Sequence, residues 1–188
     1  MRNKVKLGIV LLFFLGCRER EGPGEILGWS PLIINEKNDP WSGDIRDVYV
    51  RETAGTIEFC IITHEVWESK EDVDFGIFLD VDRNPKTGLN SSQPNWRYTV
   101  NDIGADYVIS LGFESASDSL LKWKKDHWDD SKKLSILLME DNTDSLVCGI
   151  LLEEIGSPSA IDILIIEASK DGNFDYVPDK GHMTFEIK

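Results

Sequence analysis

Apolar residues in this chain recur at every second position, in short runs cut by turn formers, a period that admits strands and leaves little room for helices. Val48 and Val50 alternate with Asp47 and Tyr49. Residues 56–66 carry Ile57, Phe59, Ile61 and Ile62, residues 75–79 are almost wholly apolar, and residues 107–111 alternate again. Further runs cover 120–124, 134–139, 145–152, 161–168 and 182–187. Between runs stand Ala54-Gly55, Asn84-Pro85 and Asp171-Gly172-Asn173, which favour turns. Serial short strands without long amphipathic helices predict an all-β antiparallel sandwich over residues 28–188. Residues 146–155 can also be read as a buried helix, but Val147, Cys148 and Ile150 favour a strand. One helical turn is expected at 153–156. Trp123 and Trp128 flank Lys124-Lys125-Asp126-His127, which reads as a hairpin turn with the two indoles meeting across the strands.

The first sixteen residues follow a different rule. Arg2, Lys4 and Lys6 precede an apolar run, 7–15, that is too short to span a bilayer, and Gly16-Cys17 follows. This is the pattern of a secretory signal, so the protein is expected to be exported. Phe14-Leu15-Gly16-Cys17 resembles the lipobox of bacterial lipoproteins, which implies cleavage before Cys17 and lipid attachment to it. Residues 17–27 then read as a tether holding the domain to a membrane without spanning it. The alternative is an ordinary signal peptide with Cys17 incidental.

The chain has 188 residues and a net charge of −14, and removing the three positive charges of the signal leaves −17. Such a surface repels phosphate backbones, which excludes nucleic acid as an expected partner, and it suits metal cations and neutral ligands. Cys60 and Cys148 both lie in apolar runs, where an exported protein either pairs them in a disulfide or buries them as thiols.

The most specific segment is Asp80-Val81-Asp82-Arg83-Asn84-Pro85-Lys86-Thr87-Gly88. Side-chain oxygens at i, i+2 and i+4 converge as in the first half of an EF-hand loop, and hard oxygen donors select calcium. An EF-hand itself is excluded, because Pro85 stands where glycine is required and Ser91 where glutamate is required. The missing ligand must come from elsewhere. Asp106, in Ile103-Gly104-Ala105-Asp106-Tyr107, is an acid placed where a strand begins, and it is the expected additional ligand. The expected calcium shell is therefore Asp80, Asp82, Asn84, Thr87 and Asp106. The competing reading is that Asp80 and Asp82 cap a turn with nothing bound.

The 78–88 segment together with 103–107 resembles the DOMON-like superfamily, and most closely its domains related to family 9 carbohydrate-binding modules. Asn38-Asp39-Pro40-Trp41-Ser42-Gly43-Asp44-Ile45-Arg46-Asp47-Val48 resembles that family's opening, 147–156 its late strand and turn, and Asp175-Tyr176-Val177-Pro178-Asp179-Lys180-Gly181 the loop before its last strand. The resemblance implies a sandwich of roughly ten strands, a structural calcium site at the Asp80 loop and, frequently, sugar binding.

Sugar binding calls for exposed aromatic faces, and Trp41, Trp67 and Trp96 are the expected platforms, although each is also a candidate core plug. Haem b binding, known in some members of the family, is a second possibility, with His64 and Met139 as the geometrically possible ligand pair. His182 and Met183 are adjacent in an expected strand, point to opposite faces, and cannot straddle one haem. Catalysis is not expected, because the three histidines are unclustered and no nucleophile motif is present. The expected function is a non-catalytic binding module for carbohydrate. The alternative is a surface lipoprotein that interacts with protein or serves structure alone.

Overall fold

The computed structural model describes residues 28–34, 36, 44–67, 74–90, 92, 103–112, 118–138, 143–168 and 174–188. Cys17, Trp41, Trp96 and Met139 lie outside them, as do the expected signal and tether. No described helix is long and apolar enough to cross a membrane.

Among the described residues twelve strands follow one another: β1 (Ser30–Ile33), β2 (Ile45–Thr53), β3 (Thr56–Trp67), β4 (Phe75–Asp80), β5 (Tyr107–Leu111), β6 (Ser119–Lys124), β7 (His127–Lys133), β8 (Ile136–Leu138), β9 (Thr143–Leu151), β10 (Ala160–Ala168), β11 (Phe174–Val177) and β12 (Met183–Glu186). They form two sheets, the smaller in the order β1-β2-β3-β9-β8 and the larger in the order β11-β10-β4-β5-β6-β7, with β12 also on β10. All the registered pairs are antiparallel, so the expected all-β sandwich is the fold.

Period-two alternation builds the core. Ile57, Phe59 and Ile61 of β3 and Cys148 and Ile150 of β9 meet Ile77, Leu79, Ile109, Ile163 and Ile165 of the larger sheet in one buried cluster. The larger sheet is buried on its outer face as well: Phe78, Val108, Leu121, Leu164 and Ile166 are covered by Leu89, Ile103 and Ala105. This explains why residues 75–79 are apolar without interruption. On the outer face of the smaller sheet, Tyr49, Cys60 and Ile62 form a third, smaller cluster with Trp29 and Val147 packed on it.

Residues 146–151 are strand, and the expected helical turn is a single 3-10 turn, Leu152–Ile155, closed by Gly156 at φ 86°. Trp123 and Trp128 are cross-strand partners with ring centroids 5.1 Å apart in an edge-to-face arrangement, as the hairpin reading expects. Two strands escape the sequence pattern. β1 is four residues containing Pro31, and β11 is four residues containing Asp175 and ending at Val177 before Pro178, so neither presents a clean apolar alternation.

The register also decides the cysteine question. Cys148 pairs with Phe59 and Cys60 with Val147, so the two cysteines stand one residue out of phase on adjacent strands. Cys148 faces the inter-sheet core and Cys60 the opposite surface of the sheet, and no disulfide joins them. Burial pushes the Cys148 thiol well above its ordinary range. Peptide mapping of denatured, unreduced protein should therefore find both Cys60 and Cys148 alkylated, and a Cys60–Cys148 linked peptide would contradict the register.

Candidate metal centre

β4 ends on Asp80, which is 2% exposed although it opens a surface loop. Phe78 and Asp80 share one face of the strand, and so do Asp106 and Val108 at the start of β5. Leu79 pairs with Tyr107, so Asp80 and Asp106 follow one another around the same corner of the sheet's outer face. The 81–88 loop then returns Asp82 to that corner. Carboxylate oxygens of Asp80, Asp82 and Asp106 all lie within 4.8 Å of one another.

Backbone geometry fixes this convergence. Leu89 and Ala105 exchange hydrogen bonds of 2.8 and 2.9 Å, and the Asp106 N–H donates to the Leu79 carbonyl at 2.9 Å. Gly104 lies so close under the loop that a Cβ there would meet the carbonyl oxygens of Asn84 and Thr87, the latter at 2.6 Å. A Cβ on Gly88, which has φ 60°, would lie 2.5 Å from the Gly104 and Ala105 carbonyl oxygens. The Asp80 carboxylate accepts from the Asn84 N–H at 3.2 Å and the Gly104 N–H at 3.3 Å, and Asp106 accepts from the Val81 N–H at 3.1 Å.

The other two expected ligands are in the loop but are engaged with it. The Asn84 side-chain carbonyl accepts the Lys86 N–H at 3.2 Å, and the Thr87 hydroxyl lies 2.9 and 3.0 Å from the two Asp82 oxygens and 2.8 Å from the Asn84 carbonyl. Arg83, at φ 55°, directs its guanidinium to Asp162 on β10 at 3.4 Å. Desolvation raises the Asp80 carboxyl to about 6, against its backbone hydrogen bonds and helped by repulsion from Asp106. Asp106 is raised for the same first reason, with Asp82 adding repulsion.

Three carboxylates so placed fit a shared cation. Calcium takes oxygen ligands at about 2.4 Å, so two ligands of one ion stand no more than about 4.8 Å apart. The donor set is oxygen alone, and a cation would offset the burial and repulsion that now oppose ionisation.

The other expected site residues fare differently. Trp67 is not an exposed platform: it is 7% exposed and packs edge-to-face on Phe75, ring centroids 5.8 Å apart, because it closes β3 on the core side. Trp41 and Trp96 lie outside the described residues. The His64 ring nitrogen sits 3.1 Å from the Glu36 carbonyl and 3.9 Å from Asp44, while Met139 lies outside the described residues. His182 faces Asp162 at 3.5 Å whereas Met183 is in the inter-sheet core, so this adjacent pair does point apart.

A second group of acids was not anticipated. At the opposite end of β4, on the inner face, Glu167 pairs with Asp175, and Asp175 accepts the Ile45 N–H at 2.8 Å, which places Asp44 beside them. Glu167 is 4% exposed, and its Oε2 has no hydrogen-bond partner among the described residues. Desolvation, then repulsion from Asp175, Asp74 and Asp44, raises its carboxyl to about 8. Nothing in one dimension marks the group, because its members come from the starts of β2 and β4, the end of β10 and from β11.

No protein-family model matches the chain, and neither a curated protein nor a solved structure is significantly similar to it. What the architecture defines is an all-β sandwich of two antiparallel sheets.

Two outcomes are expected. Gly104→Ala should cost about 1–3 kcal/mol in urea unfolding, because the new methyl overlaps backbone rather than a mobile side chain. Glu167 holds its proton up to pH about 8 when folded and to about 4.5 when unfolded, so its contribution to stability is complete below 4.5 and is lost as pH rises through 8. Glu167→Gln should therefore flatten the fall of melting temperature between pH 5 and 8, and an unchanged slope would contradict the assignment.

Proposed function

We propose that this chain is a non-catalytic, extracytoplasmic binding module whose Asp80 loop is held by a divalent cation, calcium by the hardness of its oxygen donors. The observation that carries the reading is the convergence of Asp80 and Asp82 of one loop with Asp106 of a second segment to within 4.8 Å. Asn84 and Thr87 sit in the same loop, hydrogen-bonded within it, and would supply further oxygens to such a shell by turning toward the ion. The ion's role is structural: it would join the end of β4, the loop and the start of β5, where backbone packing has already brought them together. Affinity at extracellular modules is typically about 10⁻⁴ to 10⁻³ M, which suits calcium-rich surroundings.

Cys17 is the proposed lipid attachment point, in keeping with the signal pattern before it. Carbohydrate is the proposed ligand, in keeping with the family resemblance and a strongly acidic surface; Trp41 and Trp96 are its candidate platforms.

Addition of calcium to chelator-treated protein should raise the melting temperature, and Asp80→Ala should abolish that dependence while magnesium, which dehydrates reluctantly, reproduces little of it. Equal melting temperatures of the wild type in calcium and in chelator would dispose of the site. A glycan array with calcium and with chelator tests the ligand: binding lost in Trp41→Ala or Trp96→Ala supports a sugar platform. Silence on every glycan moves the reading to a protein-binding or structural lipoprotein.

A further inference from the structure

The inner face of the larger sheet does not stay apolar to its edge. Tyr107 of β5 pairs with Lys122 of β6, and Leu120 of β6 pairs with Lys132 of β7, so two lysines continue the face that Ile109 and Leu120 present to the core. Glu154, on the 3-10 turn after β9, lies beside them. Tyr107, Leu120, Lys122, Lys132 and Glu154 line a cavity of about 150 Å³ that is open to solvent on the side of the two exposed lysines. At ~30 Å³ per water that is roughly five waters, room for one small ring and too little for a chain of them.

Its polar groups are incompletely matched to one another. Lys122 Nζ stands 5.4 Å from the centroid of the Tyr107 ring and acts on the Asp106 carboxylate through space, with no direct ion pair among the described residues. Lys132 Nζ reaches Glu154 Oε1 only at 4.0 Å, and Glu154 Oε2 is buried with no hydrogen-bond partner among the described residues. A buried acceptor in that condition costs free energy until a donor meets it. Two ammonium groups and one carboxylate leave one positive charge in a protein whose net charge is −14.

We propose that this cavity binds a single small hydroxylated carboxylate, of the size and chemistry of one acidic sugar residue. Its carboxylate would meet Lys122, a hydroxyl would donate to Glu154, and its C–H face would lie on Tyr107 and Leu120. A bare inorganic anion offers Glu154 no matched hydroxyl and is repelled by it, and a neutral sugar brings no carboxylate into contact with Lys122. The proposal rests on the sugar-binding reading above; its residues are not those of the cation loop, although Lys122 acts electrostatically on Asp106.

Calorimetry and NMR shift mapping on the full-length chain, with D-glucuronate, D-glucose, acetate and inorganic phosphate as probes, test it directly. Saturable glucuronate binding in the millimolar range, with shifts at Tyr107 and Lys122 and at least tenfold weakening in both Lys122→Gln and Glu154→Gln, is expected. Melting curves identify any variant that has not folded, and the conservative Lys122→Arg should restore most of the affinity. Glucose or acetate binding as tightly as glucuronate, or phosphate binding tighter, overturns the ligand class. Glucuronate that does not shift these residues overturns the site; if glycans still bind through Trp41 or Trp96, the sugar-binding reading survives without it.

Discussion

β4 is buried on both faces, and the placement of every charged group around it follows from that. Its inner residues Phe75, Ile77 and Leu79 meet the smaller sheet, and its outer residue Phe78 is roofed by Leu89, Ile103 and Ala105. A strand enclosed in this way can carry a charge only at its ends. At one end Asp80 turns into the acidic loop; at the other, Phe75 lies beside Glu167, where β10 leaves the core. The two acidic groups thus mark the two limits of one apolar strand, on opposite faces of the sheet.

The ends differ in how they manage charge. At the Asp80 corner the backbone does much of the work: N–H groups of Asn84, Gly104 and Val81 donate to carboxylates, and the loop is seated on glycines because no Cβ fits between the two chain segments. At the Glu167 end the members are farther dispersed through the fold, and burial drives Glu167 toward its neutral form. The first arrangement is suited to an ion of fixed radius. The second is suited to a proton.

Much of the loop site was legible in one dimension, because Asp80, Asp82, Asn84 and Thr87 fall within eight residues and their spacing is itself the geometry. Asp106 was legible for a different reason, as an acid at the entrance of an apolar strand. Gly104 stood in plain view beside it, but the need for glycine there arises from the loop pressing on it. Trp67 shows the converse: a tryptophan after a long strand looks available until the register turns it onto Phe75. The lysine-lined cavity and the Glu167 group were invisible, since each is assembled from four or more separate segments.

What the sequence determined by itself was the local and periodic content: strands from alternation, turns from their formers, the Trp123–Trp128 hairpin, the single turn at Leu152–Ile155 and the ordering of oxygens along the 80–88 loop. These depend on neighbours in the chain, so one dimension holds them. Tertiary structure alone decided which strands adjoin, which face each residue takes, and therefore that Cys60 and Cys148 cannot pair and that Lys122 and Lys132 fall on the same sheet face as Leu120. A strand's face is set by register against partners far along the chain, and a shift of one residue would reverse every such assignment.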